Sequence, residues 1–227
     1  MAKSAKAKTS IAPEAHGPGR DCALCPRLKE FREEARSKEP DWHNAPVPSF
    51  GSADAQLLIV GLAPGLRGAN RTGRPFTGDW AGDLLYETLI EFGFASGVYD
   101  ERPDDGLSLI DARITNAVRC VPPQNKPTPA EIKTCRGFLE ATIAEMPRLR
   151  AVVALGRIAH DSVARALGHS PARLPFAHGA KFEVPGVGAG VTLFDSYHCS
   201  RYNTNTGVLT PKMFKAVFKD VRGVLRS

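Results

Sequence analysis

No run of apolar residues in this chain of 227 is long enough to cross a membrane as a helix, and the first twenty residues lack the apolar core of a secretory signal. A cytoplasmic protein with no membrane partner is therefore expected. Internal repeats are absent. Two nucleotide signatures are also missing. Gly68-Ala-Asn-Arg-Thr-Gly73 has the glycine spacing of a phosphate-binding P-loop, but Arg74 stands where its lysine belongs and Pro75 where its magnesium-binding hydroxyl belongs. The dinucleotide fingerprint G-x-G-x-x-G does not occur, because Gly61, Gly65, Gly68 and Gly73 fall on other spacings. Without a secretory route, the five cysteines are not expected to form a disulfide framework.

The remaining composition is that of a globular protein, with 42% hydrophobic and 24% charged residues and a length that fits one domain. The net charge of +6 is divided. Lys3, Lys6, Lys8 and Arg20 against Glu14 mark residues 1–20 as a mobile basic tail, and residues 21–227 form the expected single domain. A basic chain favours polyanionic partners, since lysine and arginine gain by displacing condensed counterions from nucleic acid.

The most informative segment runs from Gly61 to Asp79. It contains five glycines, two prolines and a closing carboxylate. It follows the apolar, strand-length run Leu57-Leu-Ile-Val60 and precedes Trp80 to Phe92, whose apolar residues recur at helical spacing. Strand-to-helix connections of this kind hold ligands in open α/β sheets. Three further runs read as core strands: Ala112 to Val118, Ala151 to Leu155 and Val191 to Phe194, beside a first strand taken as Gln56 to Leu62. A polar helical stretch covers Leu28 to Lys38, Thr128-Pro-Ala-Glu131 opens a later helix with a capping box, and Thr210-Pro211 opens the last one. Strands alternating with helices predict an α/β fold with a mainly parallel sheet covered on both faces. Gly61 to Ala63, Asn116, Gly156 and Ser196-Tyr197-His198 then all lie at downstream strand ends and converge on one edge of the sheet.

Four cysteines pair off, Cys22-x2-Cys25 near the start and Cys120 with Cys135 further on. The wide second spacing is unlike the two close pairs of a structural zinc site, and four thiolates gathered from distant segments also suit a four-iron cluster. Burial as apolar thiols is the remaining reading, and the stronger one for Cys199.

The glycine-rich segment, these cysteines and Ser196-Tyr-His-Cys-Ser-Arg-Tyr-Asn-Thr-Asn-Thr-Gly-Val-Leu-Thr210 together resemble the iron-sulfur uracil-DNA glycosylases, most closely family 5. The resemblance covers Cys22 to about Lys215. It implies a three-layer α/β/α sandwich around a four-stranded parallel sheet, with a 4Fe-4S cluster held by Cys22, Cys25, Cys120 and Cys135. An acidic residue of the family-4 relatives is missing at Leu62 or Ala63, which matches family 5, and Asp79 becomes the substitute carboxylate. The second family motif, His-Pro-Ser, is here His198-Cys199-Ser200, while Tyr202 and Val208 replace an expected glutamine and arginine. No basic insertion ending in histidine is present, so turnover rather than covalent capture of DNA is expected.

The resemblance implies a monofunctional glycosylase that flips uracil out of DNA and hydrolyses its N-glycosidic bond, initiating base excision repair. In that reading Gly61, Ala63, Phe76 and Asn116 bind the base. Phe76 stacks on it, and the Asn116 amide pairs with the N3 and O4 edge of uracil. Hypoxanthine offers a comparable donor beside a carbonyl, which extends the candidate substrates to other deaminated or etheno bases. His198 donates to the base O2 as charge builds there, and Asp79 orients water and favours the sugar cation, although Asp79 also stands where it would cap the helix from Trp80. Arg71, Ser200, Arg201, Tyr202 and Asn203 form the DNA contacts, with Tyr202 as wedge and the arginines on phosphates. The partners are double-stranded and single-stranded DNA, met by a monomer at the nucleoid. Two other classes compete: a noncatalytic iron-sulfur nucleic-acid-binding module, and a phosphohydrolase, which would lack its lysine and magnesium ligands.

Overall fold

The computed structural model describes residues 15–185 and 190–226. The expected basic tail, residues 1–20, thus falls mostly outside the described residues. In chain order the elements are α1 (Pro26–Lys38), β1 (Phe50–Gly51), β2 (Leu57–Gly61), α2 (Ala69–Thr72), α3 (Trp80–Glu91), β3 (Ala95–Ser96), β4 (Ser108–Leu109), β5 (Ala112–Asn116), α4 (Pro129–Ala144), β6 (Ala151–Leu155), α5 (Arg157–Ala166), β7 (Lys181–Val184), β8 (Val191–Ser196), α6 (Arg201–Asn205) and α7 (Pro211–Arg226).

The main sheet has six strands among the described residues, in the order β1-β5-β2-β6-β8-β7. The four inner strands are parallel and are those read from the sequence, whereas β1 and β7 flank them antiparallel. The expected count of four is corrected for a physical reason. Inner strands are buried on both faces and read as continuous apolar runs. β1 has only two residues, and β7 exposes Lys181 and Glu183, so neither gives that signal. A separate two-stranded ribbon pairs β3 with β4.

Successive side chains of a strand point to opposite faces. Leu57, Ile59, Ala151, Val153 and Phe194 pack with Leu85 and Leu89 of α3 and Phe214, Phe218 and Val221 of α7. Leu58, Val60, Val152, Ala154 and Leu193 pack with Leu139 and Ile143 of α4 and Ala159 and Val163 of α5. Helices thus cover both faces. The capping box at Thr128 and Glu131 is formed, with Pro129 in the first turn. β8 continues two residues past its apolar run because the buried Asp195 finds His160 Nδ1 at 2.7 Å. That extension carries the chain to Ser196 at the same edge as Gly61 and Asn116.

Candidate active site

Register brings the strand ends together. Gly61 pairs with Asn116 across β2 and β5, and Leu155 pairs with Ser196 across β6 and β8. Just past these ends lies a cavity of about 40 Å³ lined by Ala63, Pro64, Gly65, Ala69, Phe76, Asp79, Ala81, Asn116 and His198. It shares Ala63, Gly65, Asp79, Ala81 and His198 with a groove of about 620 Å³ that adds Leu62, Leu66, Arg67, Gly68, Trp80, Asn125, Ser200 and Arg201.

Gly61 is required by what faces it: a Cβ there would lie 2.5 Å from Asn116 Oδ1 and 2.6 Å from Phe76 Cζ. Asn116 is only 3% exposed, and what it exposes lines the cavity, with no side-chain hydrogen bond seen to the described residues. A buried amide without partners is unfavourable unless a ligand satisfies it. Phe76 has a left-handed backbone, φ 52°, unusual for a residue with a side chain. Its neighbours hold it there. Tyr86 Oη donates to the carbonyl of Pro75 at 2.6 Å and Tyr99 Oη to that of Phe76 at 3.2 Å. Arg74 grips Asp105 with both terminal nitrogens at 2.8 and 2.7 Å and donates from Nε to Thr77 Oγ1 at 2.7 Å. Although burial opposes it, the Arg74 hydrogen bonds hold the Asp105 carboxyl down at about 2.

Asp79 does cap α3, its Oδ1 accepting from the amide of Ala81 at 3.2 Å. Its other oxygen lies over the glycine loop. A Cβ at Gly65 would approach Oδ2 to 3.0 Å, and one at Gly68 would collide with it. Burial raises the Asp79 pKa, the amides of Ala81 and Gly82 oppose the rise, and Asp83 and Glu101 add to it. The His198 ring has no hydrogen-bond partner in the protein among the described residues, and burial pushes its pKa down to about 4. At neutral pH the imidazole is therefore uncharged and keeps one N–H to donate.

Around this centre the remaining expected residues separate. Ser200 and Arg201 line the groove. Tyr202 projects into solvent, 74% exposed. Asn203 turns inward, donating from Nδ2 to the carbonyl of His198 at 2.9 Å. Arg71 lies outside the groove lining, in another cleft of about 510 Å³ with Arg20, His43 and Arg102. Sequence reasoning missed Arg67 and Trp80. The Arg201 guanidinium sits 5.4 Å above the Trp80 ring, and Trp80 Nε1 donates to Thr204 Oγ1 at 3.1 Å, which joins the start of α3 to α6. Cys199 was also missed as a tie: its buried thiol donates to the carbonyl of Ala81 at 3.4 Å and links the His198 loop to the turn that Asp79 caps.

Cys22, Cys25, Cys120 and Cys135 line one small cavity of about 20 Å³ with Leu28, Val118 and Phe138. The described residues contain no group of three cysteine, histidine, aspartate or glutamate side chains arranged for a single metal ion. Two donors nevertheless point at these sulfurs: Arg32 Nη1 reaches Cys120 Sγ and the Arg119 amide reaches Cys135 Sγ, each at 3.3 Å. The donor set is four thiols in an apolar shell with N–H groups on sulfur, which suits a thiolate-held iron cluster.

The family model described as the uracil DNA glycosylase superfamily matches residues 48–222. The chain belongs to that superfamily. A type-5 uracil-DNA glycosylase of Thermus thermophilus is 45% identical over 207 residues, 88% of this chain and 92% of the relative. The type-5 enzyme of Pyrobaculum aerophilum is 40% identical over 203 residues, 88% of this chain and 87% of its own. A type-4 uracil-DNA glycosylase of the same organism is 31% identical over 180 residues, 79% of this chain and 78% of the relative. The superfamily match spans β2, β5, β6 and β8, whose ends build the cavity, whereas Cys22 and Cys25 lie upstream of it.

Proposed function

We propose that this superfamily member is a monofunctional uracil-DNA glycosylase that hydrolyses the N-glycosidic bond of uracil in DNA, with hypoxanthine and other deaminated or etheno bases as further substrates. The observation that carries the reading is the unpartnered Asn116 amide and His198 ring meeting Phe76 and Asp79 around one cavity. The extruded base lies against Phe76 and satisfies Asn116. As the bond to C1′ breaks, negative charge grows on the base and positive charge on the sugar. Uncharged His198 donates a hydrogen bond to the base oxygen and supplies stabilisation only as that charge develops. The Asp79 oxygen left free by the cap faces the sugar cation and orients the water that adds to it. Substrate DNA, double-stranded or single-stranded, runs along the groove past Arg67, Ser200 and Arg201, met by a monomer in the cytoplasm at the nucleoid.

The same reading places a 4Fe-4S cluster on Cys22, Cys25, Cys120 and Cys135. When bound, such a cluster supplies four strong iron–sulfur cross-links and a site for one electron. The chain's own contribution is positional. Two ligands precede α1, one follows β5 and one sits in α4, so ligation pins the N-terminal segment to the sheet next to Ala63, which packs against the cysteine shell and lines the base cavity.

The deciding experiment is base release from duplex oligonucleotides carrying one uracil or one hypoxanthine, with the wild type, Asp79→Asn and His198→Ala. Release by the wild type with large losses in both folded variants supports the assignment. No release by any of them, with tight DNA binding retained, favours a noncatalytic binding module instead.

A further inference from the structure

Helix α1 follows the Cys22-x2-Cys25 pair and buries Leu28, Arg32 and Ala35 on one face. Two of these residues are ordinary core. Arg32 is not: it is 1% exposed, one of the largest fully buried side chains. Its Nη1 donates to Cys120 Sγ at 3.3 Å, its Nη2 to the carbonyl of Cys22 at 2.8 Å, and its Nε has no acceptor. No carboxylate pairs with it among the described residues. Asp21, which feels the Arg32 charge, is exposed and is held by Arg36 Nη1 at 2.6 Å. A guanidinium does not lose its proton in proteins, and a buried cation without a counter-ion is strongly unfavourable. The groups around it are thiols, neutral while protonated.

We propose that Arg32 is the counter-charge of the cluster and, through its bond to Cys120, a positioning residue that sets the cluster's reduction potential. The inference rests on the four-cysteine reading above. Four thiolates around the iron–sulfur core leave a net negative charge that supplies the missing partner of Arg32. Adding one electron makes that charge more negative by one, with no bond made or broken and no proton moved. A fixed cation and an N–H donor at the sulfur stabilise the more negative state, so Arg32 raises the potential. By holding the Cys22 carbonyl at the same time, it fixes the first cysteine of one pair against a cysteine of the other.

The test uses the full chain purified without oxygen, as wild type, Arg32→Met and Arg32→Lys. Iron and sulfide content of the wild type come first: their absence would sink the cluster reading itself, independently of Arg32. With the cluster present, potentials are read from visible absorbance and electron spin resonance during titration with dithionite and mediators. Arg32→Met is expected to shift the reduced-to-oxidised ratio at fixed potential about tenfold toward oxidised, about 59 mV for one electron. A wild-type potential in an iron-replete Arg32→Met protein overturns the proposal, even if its thermal midpoint falls. Should that variant lose its cluster on purification, Arg32→Lys decides. Lysine keeps the charge without the planar fork that reaches Cys120 and Cys22 together. A lowered potential supports the positioning role of the fork at Cys120, and an unchanged one overturns that role and leaves the charge alone as what tunes the cluster.

Discussion

Phe76 and His198 face one another across the cavity with ring centroids 6.0 Å apart and planes inclined by only 27°. Neither position is reached cheaply. Phe76 sits in the left-handed region, and His198 is stripped of the water that would let it protonate near its ordinary pKa. Strain of this kind persists where the surroundings over-determine it, and it concentrates at functional sites. Gly82 belongs to the same fit, because a Cβ there would collide with the Phe76 carbonyl and the Tyr99 hydroxyl.

Replacing Phe76 by alanine removes the stacking face while leaving Asn116, His198 and Asp79 in place. Base–aromatic stacking is worth about 1–3 kcal/mol. Uracil release is therefore expected to fall in kcat/KM by about 5- to 150-fold at 25 °C. Leucine at the same position should recover only part of the loss. A wild-type rate for Phe76→Ala in single-turnover assays would remove the base from that face of the cavity.

Much of this arrangement was legible before the fold was known. The four apolar-rich runs are the four parallel strands: burial on both faces makes β2 and β6 wholly apolar, β5 and β8 admit only Arg113, Thr115 and Thr192 before their ends, and the polar groups following them meet at one edge. The edge strands were not legible: β1 is too short, and the alternation in β7 falls within four residues. The Arg74–Asp105 clamp was invisible for another reason. Arg74 was notable only as the wrong residue for a P-loop, and its partner lies 31 positions away, a pairing that no local periodicity encodes. Trp80 and Arg67 went unremarked because an exposed aromatic and an arginine in a glycine loop acquire meaning only beside the α6 surface.

That clamp carries a stability prediction. The side chains of Arg74 and Asp105 are 1% and 0% exposed, and removing one member of such a pair costs about 3–5 kcal/mol. Asp105→Asn should lower the unfolding free energy by about that amount and reduce uracil release, since Phe76 loses its support. Because the folded-state pKa of Asp105 is depressed to about 2, its contribution is complete above the ordinary carboxylate pKa and is lost as pH falls through the folded value. Denaturant melts at decreasing pH should show that loss in the wild type and a flatter profile in Asp105→Asn.

The pH profile of the reaction tests the two groups proposed as catalytic. The proposed mechanism uses an ionised Asp79 and a neutral His198, and acid removes both conditions. The Asp79 pKa is raised by burial and that of His198 lowered to about 4. The acid limb of kcat/KM should therefore lie above the ordinary carboxylate value, with no further limb from His198 at neutral pH. In Asp79→Asn the contribution of the raised carboxylate to the acid limb should disappear, leaving that of His198 alone. An identical acid limb in wild type and Asp79→Asn would show that another group titrates.

Duplex DNA asks for one thing more than single strands do, a side chain to hold the gap left by the extruded base. Tyr202 is the most exposed aromatic on the rim and stands on α6, next to Arg201, which stacks on Trp80. α6 is only five residues long, and its hold on the active-site loop is the Ser200 cap and the Asn203 bond to the His198 carbonyl. Tyr202→Ala leaves both contacts intact. It should lower release of uracil from a duplex about tenfold relative to release from the same single strand, about the 1.4 kcal/mol of a partial unstacking term. Equal losses on the two substrates would mean that Tyr202 supports the loop rather than the gap, and Asn203→Ala, which breaks the tie to His198, should show that equal loss.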